Sequence, residues 1–113
     1  MAEKIIILAE IGKPYALTIK GETIPVRNLE ALVIGKIKEL PALIDGTVLV
    51  FGKDAKRYGM GINDKATNLV KSDVTEAIYG KAIWCRVANG HFCGFEESST
   101  AELLKTLNKE DVQ

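Results

Sequence analysis

The sequence has few of the residues from which most enzyme sites are built. Its 113 residues include one histidine and two cysteines, and fifteen basic residues balance fifteen acidic ones. A zero net charge lacks the basic field expected of a nucleic-acid-binding protein. It also lacks the negative excess expected of an acidic DNA mimic. Composition therefore disfavours nucleic acid as a partner.

Long apolar runs are also missing, since none approaches the roughly 18–20 residues of a membrane span. The longest one near the start, 5–9, is followed by Glu10 and shows no signal-peptide cleavage pattern. Two cysteines fit a reducing compartment better than a disulfide scaffold. These features predict a cytoplasmic protein with no membrane partner.

The remaining composition is that of a globular chain, 47% hydrophobic and 27% charged. Its length predicts a single domain over residues 1–113, with flexible ends at about 1–3 and 109–113. Strands and short helices are interspersed along the chain, and several strand pairs are connected as hairpins. This pattern predicts an α+β fold, with a small, mostly antiparallel sheet of about five to six strands and two to four short helices.

Local signals place these elements. Alternation and apolar runs predict strands over 5–11, 15–20 and 47–51. Asn28 can cap a helix that stops at Gly35, although a single helix through Leu40 is an alternative. Further helices are predicted weakly over 64–71, from Ser72 or Asp73 to Gly80, and after the capping box at 99–102.

The clearest signal is a hairpin, in which Asn89-Gly90 joins 82–88 to 91–95 through a type I′ turn. The two-residue loop places Ala88 opposite His91, Arg86 opposite Cys93 and Trp84 opposite Phe95. Cys85 and Cys93 then lie on opposite faces, so no disulfide between them is expected. Each thiol is interpreted as a small buried hydrophobe.

No catalytic or metal-binding set emerges from these residues. His91 and Cys93 share a strand face without a third group to orient them. Glu96 and Glu97 are adjacent, so on a strand they would point to opposite sides. The sequence thus predicts a non-enzymatic binding protein that needs no cofactor or metal.

One candidate binding region is the glycine-containing stretch around Gly59-Met60-Gly61. It matches neither a dinucleotide-binding nor a P-loop pattern. Cations, an aromatic ring and an amide on such a loop can nevertheless hold a phosphate and stack a base. The alternative is a flexible turn. The ligand-binding residues predicted here are Lys53, Arg57, Tyr58, Asn63 and Lys65.

The second candidate is the hairpin face that carries Trp84, Arg86 and His91, with Phe95 beside them. Aromatic and arginine side chains together are typical of binding hot spots and base-stacking platforms. The alternative interpretation makes Trp84 and Phe95 a cross-strand pair in the core.

The order of these features resembles a known family. A leucine-containing helix at 28–32 leads into 33–37, Gly59-Met60-Gly61-Ile62-Asn63 follows a buried strand, and 78–83 runs into the hairpin. Over roughly residues 4–97 the chain resembles small phage-, plasmid- and conjugative-element-borne proteins of unknown function. The resemblance implies a mobile-element setting, where small non-enzymatic proteins often block host defences.

The sequence leads to two function hypotheses. In the first, the protein sequesters a nucleotide-like signalling molecule, or another small anionic ligand, to counter host defence. The pocket would then be built across a homo-oligomer interface. In the second, it is a protein-binding inhibitor of a host defence effector such as a nuclease or a CRISPR complex.

Overall fold

The computed structural model describes residues 3–111, with side chains described through Leu107. The expected flexible residues 1, 2, 112 and 113 lie outside the described residues. The elements in chain order are β1 (Glu3–Leu8), β2 (Tyr15–Ile19), α1 (Val26–Val33), β3 (Ile37–Pro41), β4 (Thr47–Gly52), α2 (Asp64–Asn68), β5 (Ala82–Ala88), β6 (His91–Cys93), β7 (Phe95–Glu96) and α3 (Glu97–Asp111).

The strands form one antiparallel sheet in the order β2-β1-β5-β4-β3, with β6 paired to β5 and β7 paired to β1. The predicted α+β class is confirmed. The sheet has seven strands in place of five or six, because β3 and the two-residue β7 carry no clear alternation in sequence. No helix in the described part of the chain is long and apolar enough to span a membrane.

The two sheet faces are covered by different elements. On one face, Ile5 and Ile7 of β1 and Ile83 of β5 pack against Leu29 and Val33 of α1. The other face packs against α2, the segment that follows it and the apolar side of α3. Because β1 and β5 are buried from both sides, their sequences are runs of apolar residues without alternation. The core therefore lies on both sides of the central strands.

The hairpin register is confirmed up to Cys93, which pairs with Arg86. Beyond it the expected pairing of Trp84 with Phe95 is wrong, because Phe95 pairs with Lys4 on β1. The chain changes partner at Gly94, where an added Cβ would lie 3.0 Å from the Glu3 Cβ and from the Lys4 nitrogen. Only glycine lets the backbone pass so close to β1.

Two predicted helices differ from the structure. The helix proposed to follow Ser72 or Asp73 is absent, and the chain there forms a turn followed by irregular backbone. The Ile78 amide bonds the Thr67 hydroxyl, and Tyr79 bridges to Ile62. Tertiary partners thus take the backbone groups that a helix would use internally. α3 begins at Glu97, ahead of the predicted capping box.

The end of α1 contains an unusual backbone conformation. The predicted left-handed residue is Gly35, but Ile34 occupies that region with φ 58°, and Gly35 follows at φ 133°. A left-handed conformation costs a residue with a Cβ about 1–2 kcal/mol. Ile34 is 80% exposed, so packing of its side chain offsets little of this energetic cost. The expected Asn28 cap is wrong, because the helix starts after Pro25 without a side-chain cap.

Replacing Ile34 by glycine is expected to stabilise the protein by about 1 kcal/mol, because glycine adopts positive φ without steric conflict. Urea denaturation measures the free energy of unfolding. Ile34→Ala is the matched control, since it removes the exposed side chain and keeps the Cβ. An equal gain in both variants would mean that side-chain exposure, and not backbone strain, sets the effect.

Candidate functional site

The hairpin face predicted as a binding platform is not a surface. Trp84 and Phe95 are 3% and 4% exposed. Their rings meet edge to face, with centroids 5.6 Å apart and planes at 75°. Both belong to the core layer beneath α3. The alternative core-pair interpretation of these two residues describes the structure, and Trp84 is inaccessible to a ligand.

The other two residues of that face lie nearer its rim. Arg86 donates from Nε to the Gly94 carbonyl at 2.7 Å, and its Nη2 lies 3.5 Å from a carboxylate oxygen of Glu3. These two contacts hold the chain at Gly94, where it stops pairing with β5 and begins to pair with β1. His91 is exposed at the end of the hairpin. Arg86 therefore has a structural role, and His91 is separated from the buried aromatic pair.

Asn63, predicted as a ligand-binding amide, is fully buried. Its Nδ2 donates to the carbonyls of Leu8 and Gly80, both at 2.8 Å. Its Oδ1 accepts from the Ala66 amide at 3.1 Å and so caps α2. The side chain is saturated by the fold and offers nothing to a ligand. It ties the end of β1 to the start of β5 and α2.

Lys65 also lies away from the basic residues that precede the glycines. Its ammonium donates to the Gly12 carbonyl in the turn between β1 and β2. Nearby, the Gly61 amide donates to the Glu10 carboxylate at 3.0 Å. Residues 61–65 are thus fixed against the β1–β2 turn. The predicted loop site is therefore divided. Its second half, residues 61–65, contacts the β1–β2 turn, away from the basic residues that precede the glycines.

The first half of the loop borders a cleft of about 250 Å³, which we call the lysine cleft. Its polar lining comes from three separate segments of the chain. Lys53 and Lys56 follow β4, Lys38 comes from β3, and Glu76 and Tyr79 come from the stretch before β5. Three ammonium groups against one carboxylate make this cleft locally basic in a chain of zero net charge.

Two contacts order the lysine cleft. The Lys56 ammonium lies over the Tyr79 ring, 5.4 Å from its centroid, where the ring's negative face attracts it. Lys38 pairs with Glu76 at 2.5 Å. Lys53 is exposed, and its backbone amide bonds the Lys36 carbonyl at 2.8 Å. An anion entering the cleft would therefore meet Lys53 and Lys56 directly and compete with Glu76 for Lys38.

A second cleft of about 240 Å³, which we call the Tyr58 cleft, borders the same turn. Its lining includes Ile34, Tyr58 and Met60, together with the charged residues Lys36 and Asp54. Tyr58 is 72% exposed and faces this cleft and not the lysine cleft. Arg57 is exposed and lines neither of these two clefts. Of the predicted loop residues, only Lys53 lines the lysine cleft.

Sequence reasoning missed Lys38 and Tyr79 as members of one site. Lys38 lies on β3, which alternates poorly, and Tyr79 lies where a helix was expected. The signal for β3 was the Asp45-Gly46 turn before the buried strand 47–51, since a turn joining two strands implies a preceding strand. Nothing local places Tyr79 beside Lys56.

The thiols agree with the sequence analysis, since both cysteines are free and buried. Cys85 belongs to the α1 side of the core, and Trp84 beside it to the other. Burial, with smaller contributions from the charges of Glu39 and Cys93, raises the pKa of Cys85 to about 12. The Cys93 thiol lies 3.5 Å from the His91 carbonyl. Among the described residues, no three His, Cys, Asp or Glu side chains are grouped as metal ligands would be.

Comparisons with protein-family models, with curated proteins and with solved structures find no significant match to this chain.

Asn63→Ala is expected to lower the free energy of unfolding by about 2–4 kcal/mol, because it leaves two buried carbonyls without donors and removes a helix cap. Asn28→Ala is the matched control, since Asn28 is exposed and caps nothing. Chemical denaturation compares the two variants. A loss below 1 kcal/mol for Asn63→Ala would contradict the role given to this side chain.

Cys85 is expected to resist alkylation at pH 8.5 in the folded protein and to react once urea unfolds the chain, because only the thiolate is nucleophilic. The folded pKa lies above the unfolded value of 9.0. This thiol's contribution to stability is therefore complete below pH 9 and is lost as the pH rises towards 12. Mass spectrometry after iodoacetamide treatment reads the result, and rapid labelling of folded Cys85 would contradict it.

Proposed function

We propose that this chain is a non-catalytic binding protein for a small phosphate-bearing ligand, held in the lysine cleft. The observation that carries the proposal is the convergence of Lys53 and Lys56, which follow β4, with Lys38 of β3 on one concave site. Lysine ammonium groups are strong donors to phosphate oxygens. A concave site with a few convergent polar groups is the usual form of a ligand pocket.

The size and lining of the cleft narrow the ligand class. About 250 Å³ is slightly below the usual range for drug-sized ligands, so the cleft fits a phosphate or diphosphate group with part of its attached moiety. Phe51 and Tyr79 supply an apolar and aromatic wall beside the lysines. This combination favours a nucleotide-like molecule over a free inorganic ion.

The biological setting is a separate step of the proposal. The resemblance to phage- and plasmid-borne proteins supports a role in which the protein sequesters a nucleotide signal and so counters host defence. Sequestration requires no chemistry at the ligand, which agrees with a cleft lined by lysines, a carboxylate and a phenol and by no nucleophile with an activating base.

The cleft is tested by isothermal titration calorimetry against cyclic dinucleotides, ADP-ribose derivatives and inorganic pyrophosphate. Lys53→Met and Lys56→Met are each expected to lower the affinity for the best ligand about ten- to a hundredfold, because a charge-assisted hydrogen bond contributes about 1.5–3 kcal/mol. Lys105→Met is the matched control, since Lys105 is exposed on α3, which packs over β1, β2 and β7.

Glu76→Gln is expected to change the ligand affinity in the opposite direction. Removing the carboxylate that pairs with Lys38 is expected to raise the affinity for a phosphate-bearing ligand several-fold, and more strongly at low salt. Glu102→Gln on α3 controls for the change in net charge. No heat with any ligand in a folded sample, or equal affinities in all these variants, would refute the lysine cleft as the site.

The Tyr58 cleft favours the second hypothesis, a protein-binding inhibitor of a host defence effector. Tyr58 and the strained Ile34 expose apolar surface side by side, and exposed aromatic residues are typical of protein interfaces. Tyr58→Ala is the variant for this hypothesis, because Trp84→Ala would disrupt the core. Loss of inhibition of a purified effector by Tyr58→Ala, with ligand titrations silent, would favour it over the lysine cleft.

A further inference from the structure

The two edges of the sheet are protected very differently. The edge strand β3 carries Lys38, Glu39 and Pro41. At its end the Lys71 amide donates to the Pro41 carbonyl, and the Leu43 amide donates to the Leu69 carbonyl. Charges, proline and covering loops are the common means by which proteins prevent edge pairing. β2, at the other edge, reads Tyr-Ala-Leu-Thr-Ile and has no charge or proline within it.

The free side of β2 presents apolar surface as well as backbone. In the part of the chain that the structure describes, β2 pairs only with β1. Tyr15 and Leu17 lie opposite Ile7 and Ile5, and so on the α1 face of the sheet. They are 48% and 37% exposed, because α1 covers the central strands and does not reach the edge. An apolar groove of about 390 Å³ separates β2 from α1.

We propose that β2 pairs antiparallel with β2 of a second copy of this chain, with Leu17 on the two-fold axis. Paired residues of an antiparallel sheet must lie on the same face, so the two-fold axis has to pass through a residue of β2 and not between two residues. This restriction leaves the registers centred on Ala16, Leu17 and Thr18.

Charge and apolar contacts select among these registers. Centring on Leu17 places Tyr15 opposite Ile19 of the second copy and Leu17 opposite its own copy, so that only apolar side chains meet on the α1 face. Centring on Ala16 would place Ile19 opposite Lys13, and centring on Thr18 would place Lys20 opposite Ala16. Only the Leu17 register keeps both lysines outside the paired strand.

The register centred on Leu17 also covers the apolar groove between β2 and α1. Ile19 and Leu17 line it, together with Ala31 and Leu32 of α1. Neighbouring strands lie about 4.8 Å apart, so the Tyr15 ring of the second copy reaches the mouth of the groove. Each copy thus covers the exposed apolar surface of the other. The lysine clefts, at the β3 edge, remain open and are each built from one chain.

Sedimentation velocity tests the dimer. The wild-type protein is expected to sediment at twice the mass of one chain at tens of micromolar, and Leu17→Lys as a monomer. Leu43→Lys is the matched control, because Leu43 is also exposed but lies between β3 and β4. A monomeric wild type, or a Leu17→Lys variant that remains a dimer, would overturn the proposal. A monomeric wild type would also leave β2 free for a strand of another protein.

Disulfide trapping tests the register without a destabilising charge. Leu17→Cys is expected to cross-link to itself, since facing Cα atoms lie about 4.5–5.5 Å apart. Thr18→Cys is the control, because its two copies would lie about 8 Å apart, beyond the reach of a disulfide. The native cysteines are buried and do not interfere. Equal trapping of both variants, or none of Leu17→Cys, would overturn this register.

Discussion

The side-chain amide of Asn63 is the interaction on which the arrangement of the loops depends. It bonds the end of β1, Gly80 shortly before β5 and the start of α2. The backbone amide of Asn63 also donates to the Ile78 carbonyl. The Gly80 amide in turn bonds the Gly61 carbonyl. Two irregular segments, 60–63 and 78–80, are thereby held side by side. Tyr79 lies in the second of these segments, and the Lys56 ammonium lies over its ring.

The lysine cleft therefore rests on a buried polar network and not on a regular element. Buried amides are costly unless every donor and acceptor is satisfied, and here all three Asn63 bonds are made. The sheet supplies the rest of the support, since Lys38 and Lys53 extend from β3 and β4, which pair antiparallel. A cleft built in this way is ordered before any ligand enters, so less side-chain entropy is lost on binding.

The fold class followed from the sequence because apolar runs, alternation and the Asn89-Gly90 turn depend on neighbours along the chain. β1, β4, β5 and the hairpin were placed within a few residues of their bounds. β3, the chain's change of partner at Gly94 and the irregular stretch before β5 were not, because each is decided by a distant contact. The end of α1 shows the same limit. Gly35 was the expected left-handed residue, but the residue with that conformation is its neighbour Ile34.

The candidate site was harder to predict than the fold. The basic loop was identified, yet only Lys53 of its five predicted residues lines the lysine cleft. Asn63 reads as a ligand amide in sequence and proves to be a cap with two further buried bonds. Trp84 and Phe95 have the composition of a hot spot and form part of the core. Residue type could not distinguish these cases, because burial is decided by tertiary packing. Trp84 and Phe95 are covered by the packing of α3, and Asn63 is enclosed through its bonds to Leu8 and Gly80.

Mapping a bound ligand onto the backbone tests the central claim most directly. Amide chemical shifts can be followed by NMR while the tightest phosphate-bearing ligand is titrated into the labelled protein. We expect the largest shifts at Lys53, Lys56 and Tyr79, with smaller ones at Lys38 and little change along β2 and α3. Shifts concentrated at Tyr58 and Ile34, at the hairpin tip, or nowhere in the chain would contradict the assignment of the lysine cleft.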